Sequence, residues 1–186
     1  MSASLLSANL PEVLAEVRRL RRRFAPTAEA WGPCTAAVEL QVQIGHLALC
    51  VLRRHGTDVS ALEDPDRPLD NLGDELADVV LAALSVAVLA GTEPGPIARP
   101  AAATHETEAL LRLLVSAGAL SEVALVDQQF RHCPPGALPS LPEVAAAVIA
   151  SCEDLADRWG LDLFAEFRSM IVDADAFLDT HGGTDD

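Results

Sequence analysis

Apolar residues recur at helical spacing along most of the chain. Near the N-terminus they fall on one stripe of a predicted amphipathic helix: Leu10, Val13, Leu14, Val17, Leu20 and Phe24. The same spacing, bounded by glycine, proline and capping residues, predicts five further helices. These lie over residues 35–55, 70–91, 105–130, 140–160 and 162–180.

The predicted third helix differs from the others in its pattern. It begins near Asp70 or Asn71 and ends at Gly91, and beyond Leu76 it is apolar almost all round. A helix without a polar face is expected to be buried on every side. We therefore predict that it is the central helix of the fold.

The composition favours an all-α protein. Half of the 186 residues are hydrophobic, only 4% are aromatic and tyrosine is absent, so the core must be mainly aliphatic. The four cysteines, which contain no CxxC pair, are expected to be small buried hydrophobic residues. Without a secretory pattern, and with a longest apolar run (79–90) too short for a bilayer, we expect a cytoplasmic protein with no membrane span.

Charge excludes several classes of function. The formal net charge is −15, so a nucleic-acid partner is not expected. All thirteen basic residues are arginine, which excludes a P-loop, a Schiff-base enzyme and a kinase because each needs a lysine. The exception to the acidic pattern is a basic cluster on the first helix, at Arg18, Arg19 and 21–23. Three roles are open for it: a solvated face, a partner for acidic helices, or a phosphate-binding surface.

The chain contains an internal similarity. Placing Gly45 over Gly118 aligns residues 40–47 with 113–120 and makes Leu, Val, Gly and Leu identical. Placing Gly91 over Gly160 aligns the third helix with the fifth. Two copies are too few for a solenoid and suit a fused pseudo-dimer. The predicted division is a first repeat over 1–95, a second over 104–180 and a disordered tail over 181–186.

Two helices carry a family resemblance. The run Leu40 to Leu52 resembles the "LxxEVGELAxAxL" helix of the MazG-like, all-α nucleoside triphosphate (NTP) pyrophosphohydrolases, and 74–80, Asp-Glu-Leu-Ala-Asp-Val-Val, resembles their "DELADVL" helix. In the second half, 155–162 is similar to the "LADRLGID" end of the same helix. The resemblance implies two tandem, degenerate MazG-like repeats in a helical bundle, with repeat 1 retaining the motif.

The resemblance also implies a metal site. In the family, an ExxE pair and an ExxD pair hold Mg²⁺, which helps to cut an NTP to the monophosphate and pyrophosphate. Here the catalytic ExxD pair would be Glu75 and Asp78, whereas the ExxE positions hold Gln43 and His46. Mg²⁺ or Mn²⁺ would then be held by Glu75, Asp78, His46 and Glu39. For Glu39, a solvent-facing role is the alternative. Gln43, Arg53 and Arg54 are the candidate substrate contacts.

Three functions remain open at this stage. The first is a divergent NTP pyrophosphohydrolase of this family, a metal-dependent enzyme with an eroded metal site. The second is a non-catalytic relative that binds a nucleotide or a protein. The third is an unrelated helical protein. Acidic residues at positions 75 and 78 are also stabilising through the helix dipole alone, so they do not by themselves require a metal. The resemblance also implies self-association into a homo-oligomer, because members of the family often assemble through helix-bundle interfaces.

Overall fold

The protein is all-α, as the sequence predicts. A computed structural model describes residues 5–24, 31–66, 69–98 and 101–181, and this part of the chain contains helices and loops but no strand. After a single 3-10 turn at Ser7–Asn9 come six helices. They are α1 (Leu10–Phe24), α2 (Pro33–Arg54), α3 (Leu72–Leu89), α4 (Glu106–Asp127), α5 (Leu141–Trp159) and α6 (Leu163–His181).

Helix α3 is the centre of the fold. The Asn71 side chain caps it by accepting hydrogen bonds from the backbone N–H groups of Gly73 and Asp74, at 3.1 and 3.3 Å. From Glu75 to Ala87 nearly every residue is buried, because α1, α2, α5 and α6 all pack against this helix. The prediction of a central buried helix is confirmed.

Two helical hairpins form the main bundle. Helices α2 and α3 pack antiparallel, with Cys50 close to the Leu69 carbonyl at one end of the pair and His46 beside Glu75 further along. Helices α4 and α5 form the second hairpin. The hairpins meet mainly through α2 against α4 and α3 against α5. The bundle therefore has an α2/α4 layer and an α3/α5 layer.

Helices α1 and α6 run parallel to each other and cover the outer side of α3. The predicted apolar stripe of α1 is confirmed, since Val13, Leu14, Val17 and Leu20 are all buried. The basic cluster of α1 pairs with acidic residues of α6. Arg19 forms a two-pronged hydrogen bond with the Asp175 carboxylate at 2.8 Å, and Arg23 reaches both Asp175 and Asp179 at 2.6 Å. Of the roles open for this cluster, the intramolecular one is therefore observed for these two arginines.

Replacing Asp175 with Ala should lower the free energy of unfolding by about 1–2 kcal/mol at neutral pH, because the partly buried Arg19 and the buried Arg23 both lose a charged acceptor. The hydrogen bond from Arg19, with a further one from Arg23, holds the pKa of Asp175 below its ordinary value. A carboxyl with a lowered folded-state pKa stabilises the fold above its unfolded pKa, and this contribution is lost as pH falls through the folded value. The difference between the two proteins should therefore disappear in acid.

Urea titrations at a series of pH values measure this effect. Asp66→Ala, in an exposed loop, is the matched control and should leave the unfolding midpoint unchanged at every pH. A difference between wild type and Asp175→Ala that persists unchanged in acid would contradict the assignment.

Some expectations from the sequence need correction. Helix α4 ends at Asp127 instead of Phe130, because Gln129 adopts a positive φ of 61° and the chain turns there. Helix α6 continues through His181, which was expected in the tail. Burial of all four cysteines is wrong: Cys50 and Cys152 are buried, but Cys34 is half-buried and Cys133 is exposed on a loop. The rest of the expected tail, 182–186, lies outside the described residues.

Two helices are long and apolar enough, by length and composition alone, to cross a bilayer. They are α2 and α4, and in each of them a third of the most apolar stretch is buried inside the protein. Core helices of soluble proteins pass the same test, so this finding is weak evidence for a membrane span.

Candidate functional site

A cavity of about 650 Å³ lies where α2, α3 and α6 meet the C-terminal end of α1. Its size is within the usual range for small-molecule sites. Acidic, aromatic and aliphatic side chains line it together. The described lining residues are Arg21, Phe24, Trp31, Glu39, Gln43, Asp74, Asp78, Leu81, Ala82, Met170, Asp173, Ala174 and Phe177.

Four carboxylates face this cavity from three helices. Glu39 comes from α2, Asp74 and Asp78 from successive turns of α3, and Asp173 from α6. Residues four apart share a helix face, so Asp74 and Asp78 both reach the cavity from the first turns of the helix that Asn71 caps. Burial, together with the nearby charge of Asp173, raises the pKa of Asp74 above its ordinary value. The carboxylates therefore form an acidic wall.

Arg21 carries the sole positive charge among the described residues that line the cavity. Its guanidinium lies 4.7 Å from the centre of the Trp31 ring and 5.1 Å from that of Phe24, both within cation–π distance. Burial lowers its pKa, and attraction to Glu39 and Asp78 acts in the opposite direction. Its Nε atom is buried with no hydrogen-bond partner among the described residues. Arg21 is therefore a largely desolvated cation that lies against two aromatic rings.

A chain of polar side chains runs from the cavity into the α2/α3 interface. The Gln43 side-chain amide donates to Glu39 at 2.8 Å, and its oxygen lies 3.1 Å from His46 Nδ1. The same His46 nitrogen lies 3.6 Å from Glu75 Oε2. Glu75 is only 5% exposed, so the chain ends at a buried carboxylate. Gln43 therefore links the cavity to the buried Glu75 through His46.

The predicted site residues fall into three groups. Glu39, Gln43 and Asp78 line the cavity. His46 and Glu75 lie behind it, in contact with each other, and are not among its described lining residues. Arg53 and Arg54 lie at the far end of α2, where Arg53 pairs with Glu63 and with the Leu69 carbonyl and Arg54 is exposed.

Three charged residues of the cavity were not predicted from the sequence as site residues. Asp74 lies one turn before Asp78, and this spacing could have identified it. Arg21 was visible only as part of a basic cluster, and nothing local separates it from its neighbour Arg22. Asp173 reaches the cavity because α6 packs on α3, a contact that no local pattern encodes.

The described carboxylates that line the cavity are suitable ligands for a divalent ion, but they are not arranged closely enough to hold one by themselves. Carboxylate oxygens are the ligands that Mg²⁺ and Mn²⁺ prefer. Among the residues that the structure describes, however, no three His, Cys, Asp or Glu side chains lie close enough together to hold one metal ion. The described residues therefore do not form a complete protein cage for an ion.

A second cavity, of about 610 Å³, lies between α4 and α5. It is mainly apolar, and its walls include Leu111, Val115, Ala119, Val144, Ala147 and Ala150. Glu108 and Arg112 stand at its edge and pair with each other at 2.6 Å. Its lining lacks the acidic wall of the first cavity, so the two cavities differ sharply in charge.

Known proteins offer no match to this architecture. Comparisons with protein-family models, curated proteins and solved structures find none that matches the chain. The family resemblance therefore depends on the motif residues, and any functional proposal depends on the two cavities and on what lines them.

Proposed function

We propose that this chain is a divergent relative of the MazG-like NTP pyrophosphohydrolases that binds a nucleotide with a divalent ion and has weak or lost hydrolytic activity. The observation that carries the proposal is that residues from both motif helices, Glu39 and Gln43 on α2 and Asp78 on α3, line one cavity. Aromatic side chains for stacking and one buried cation lie in the same space.

An ion that arrives with the nucleotide needs few protein ligands. Mg²⁺ commonly keeps several waters and binds through one or two carboxylates plus phosphate oxygens. Asp74 and Asp78, one turn apart on α3, could supply those carboxylates. Without an ion, the acidic wall would repel a triphosphate, so binding should depend on the divalent cation.

The two cavities also support the idea of two related halves. With Gly45 placed on Gly118 and Gly91 on Gly160, five lining positions of the first cavity align with five lining positions of the second. The aligned pairs are Glu39 with Arg112, Gln43 with Ser116, Asp78 with Ala147, Leu81 with Ala150, and Ala82 with Ser151. In the same alignment, the α2/α4 contact joins two equivalent helices, and so does the α3/α5 contact. We therefore infer a pseudo-dimer in which one of two ancestral sites has lost the acids that align with Glu39 and Asp78.

We propose binding instead of efficient catalysis because Gln43 and His46 occupy the positions of the family's ExxE pair. Gln43 is neutral, and its amide oxygen is a weaker ligand for Mg²⁺ than a carboxylate. His46 is engaged with Gln43 and Glu75 inside the α2/α3 interface. Glu75 therefore contacts His46 inside the helix interface. In an active enzyme of the family, the equivalent carboxylate would bind the ion instead.

Calorimetric titration of the full chain with a panel of canonical and modified NTPs and dNTPs, each with Mg²⁺, Mn²⁺ or EDTA, tests the proposal. We expect at least one nucleotide to bind only when a divalent ion is present. Asp78→Asn should weaken that binding about tenfold, the size expected when one charged contact is lost. The matched control Asp157→Asn, at an exposed position of α5 outside the cavity, should leave it unchanged.

A parallel assay for released pyrophosphate separates binding from catalysis. We expect little or no turnover with any member of the panel. Absence of binding to every nucleotide under every ion condition would overturn the proposal and favour an unrelated helical protein. Sustained multiple turnover that depends on Asp78 would instead show that the protein is an active enzyme. That result would contradict the proposal that hydrolysis is weak or lost.

A further inference from the structure

The outer surface of the α2/α4 layer has an unusual concentration of exposed apolar side chains. Ten large hydrophobic side chains are exposed in the described part of the chain, and six of them lie on these two helices. They are Val38, Val42 and Leu52 on α2 and Leu111, Leu114 and Val115 on α4. Scattered exposed apolar residues are normal, but a contiguous patch of them marks an interaction surface. We call this set the α2/α4 outer face.

These residues form one continuous face because the two helices lie side by side. The Gln41 side chain donates to Ser121 at 2.9 Å, and His55 contacts Glu106 at 3.0 Å near the opposite end of the pair. The inner sides of both helices are buried against α3 and α5. The sides that remain exposed therefore share one surface. The apolar residues on this surface also explain why α2 and α4 are strongly apolar although only a third of the most apolar stretch of each helix is buried.

The spacing on this face is that of a helix-packing seam. On α2 the positions 38, 42, 45, 49 and 52 alternate steps of four and three residues, and on α4 the positions 111, 115, 118, 122 and 125 do the same. Such alternation is the pattern by which helices pack against other helices. Gly45 and Gly118 lie at the centre of each row, and an added Cβ would meet nothing within 4 Å at either. A partner helix could therefore approach both closely.

We propose that the α2/α4 outer face is the contact between two copies of this chain, which pair to form a four-helix layer at the interface. A contact of this kind is isologous, so each copy must present a surface that complements itself. Two antiparallel helices with the same apolar spacing meet that requirement, because a twofold rotation places apolar rows against apolar rows.

Charge favours a second copy over other occupants. The chain carries a net charge of −15, yet of the ten seam positions only Glu122 is charged. This face is therefore the surface on which two acidic molecules can meet with the least repulsion. An anionic lipid surface would be repelled by the rest of the molecule, and a basic protein would be drawn to the acidic surfaces instead of to this one.

The area of the face is close to what a stable dimer needs. Two helices of 22 residues, each about 33 Å long and about 10 Å wide, offer roughly 660 Å² per copy. A standard protein interface buries about 800 Å² per partner. The adjoining cavity between α4 and α5, which shares Leu111 and Val115 with the face, extends the apolar area further.

Sedimentation equilibrium of the full chain tests the pairing. We expect a species of twice 19.6 kDa whose dissociation constant falls as salt is added, because salt screens the repulsion between the copies. Val115→Glu on α4 and Val42→Glu on α2 should each raise that constant at least tenfold. The matched control is Val172→Glu on α6, where a valine 66% exposed, against 71% for Val115, lies away from the face and should leave the dimer intact.

Hydroxyl-radical footprinting of the wild-type protein gives a second readout that does not depend on variant folding. Leu111 and Leu114 should become protected as the protein concentration rises. A monomer at every soluble concentration would overturn the proposal, as would a dimer that resists both substitutions and leaves these leucines reactive. Binding to neutral phosphatidylcholine vesicles that is lost in Val115→Glu would assign the face to lipid instead.

Discussion

Replacing Leu84 with Ala should lower the free energy of unfolding by about 2–5 kcal/mol, one of the two largest effects that we expect from any single substitution. Leu84 lies in the middle of α3 and is fully buried. Because helices pack on α3 from several sides, its surroundings cannot collapse into the space that the shorter side chain leaves. The change should appear as a large drop in the midpoint of denaturant unfolding.

The matched control for Leu84→Ala is Leu111→Ala. Both are helical leucines, but Leu111 is 54% exposed, so its truncation should change the free energy of unfolding by less than about 0.5 kcal/mol. Leu111 lies on the proposed interface. If the wild type is a dimer, both leucine substitutions must therefore be compared in the Val115→Glu variant, in which pairing is weakened. Equal losses for the two leucines would contradict the central position of α3.

The fold could be predicted from the sequence where local signals and apolar spacing agree. Ser140 and Glu143 form a capping box at the predicted start of α5, and Gly160 ends the helix with a positive φ of 70°. Asp162 starts α6 by accepting a hydrogen bond from the Ala165 N–H at 3.1 Å. Each of these features acts within four residues, so the chain encodes it directly.

The candidate site could be predicted only in part. The two motif helices were found from local spacing, and they do bring Gln43 close to His46 and His46 close to Glu75. Which side chains reach the cavity depends on how α6 packs against α3. Glu75 is buried beside His46 in the α2/α3 interface, whereas the α6/α3 contact brings Asp173 into the cavity that Asp78 lines. No periodicity along one helix determines either contact.

The surface pattern of α4 was also hidden from sequence reasoning. Its apolar residues fit a core helix, and only the structure shows that Leu114 and Val115 are exposed. Apolar spacing shows that a helix has an apolar face but does not show what covers that face. The distinction between a core and an interface therefore requires the packing of the whole chain.

Arg21→Met should have opposite effects on the two components that the proposed site binds. Affinity for the nucleotide should fall about tenfold to a hundredfold, because a desolvated guanidinium that can hydrogen-bond a phosphate is lost. Affinity for Mn²⁺ alone should stay the same or rise, because the sole cation among the described lining residues no longer repels the ion. Met keeps much of the apolar contact with Trp31 and Phe24, and burial of the charge itself opposes folding, so stability should change little.

Arg22→Met is the matched control for this substitution. Arg22 is the next residue of the same helix and carries the same charge, but it is exposed and is not among the lining residues of the cavity. A loss of affinity shared by both variants would show that the net charge of the chain matters and that the position of Arg21 does not. Loss of nucleotide affinity in Arg21→Met alone, with Mn²⁺ affinity retained, would place the phosphates beside Arg21, since a general loss of structure would weaken both ligands together.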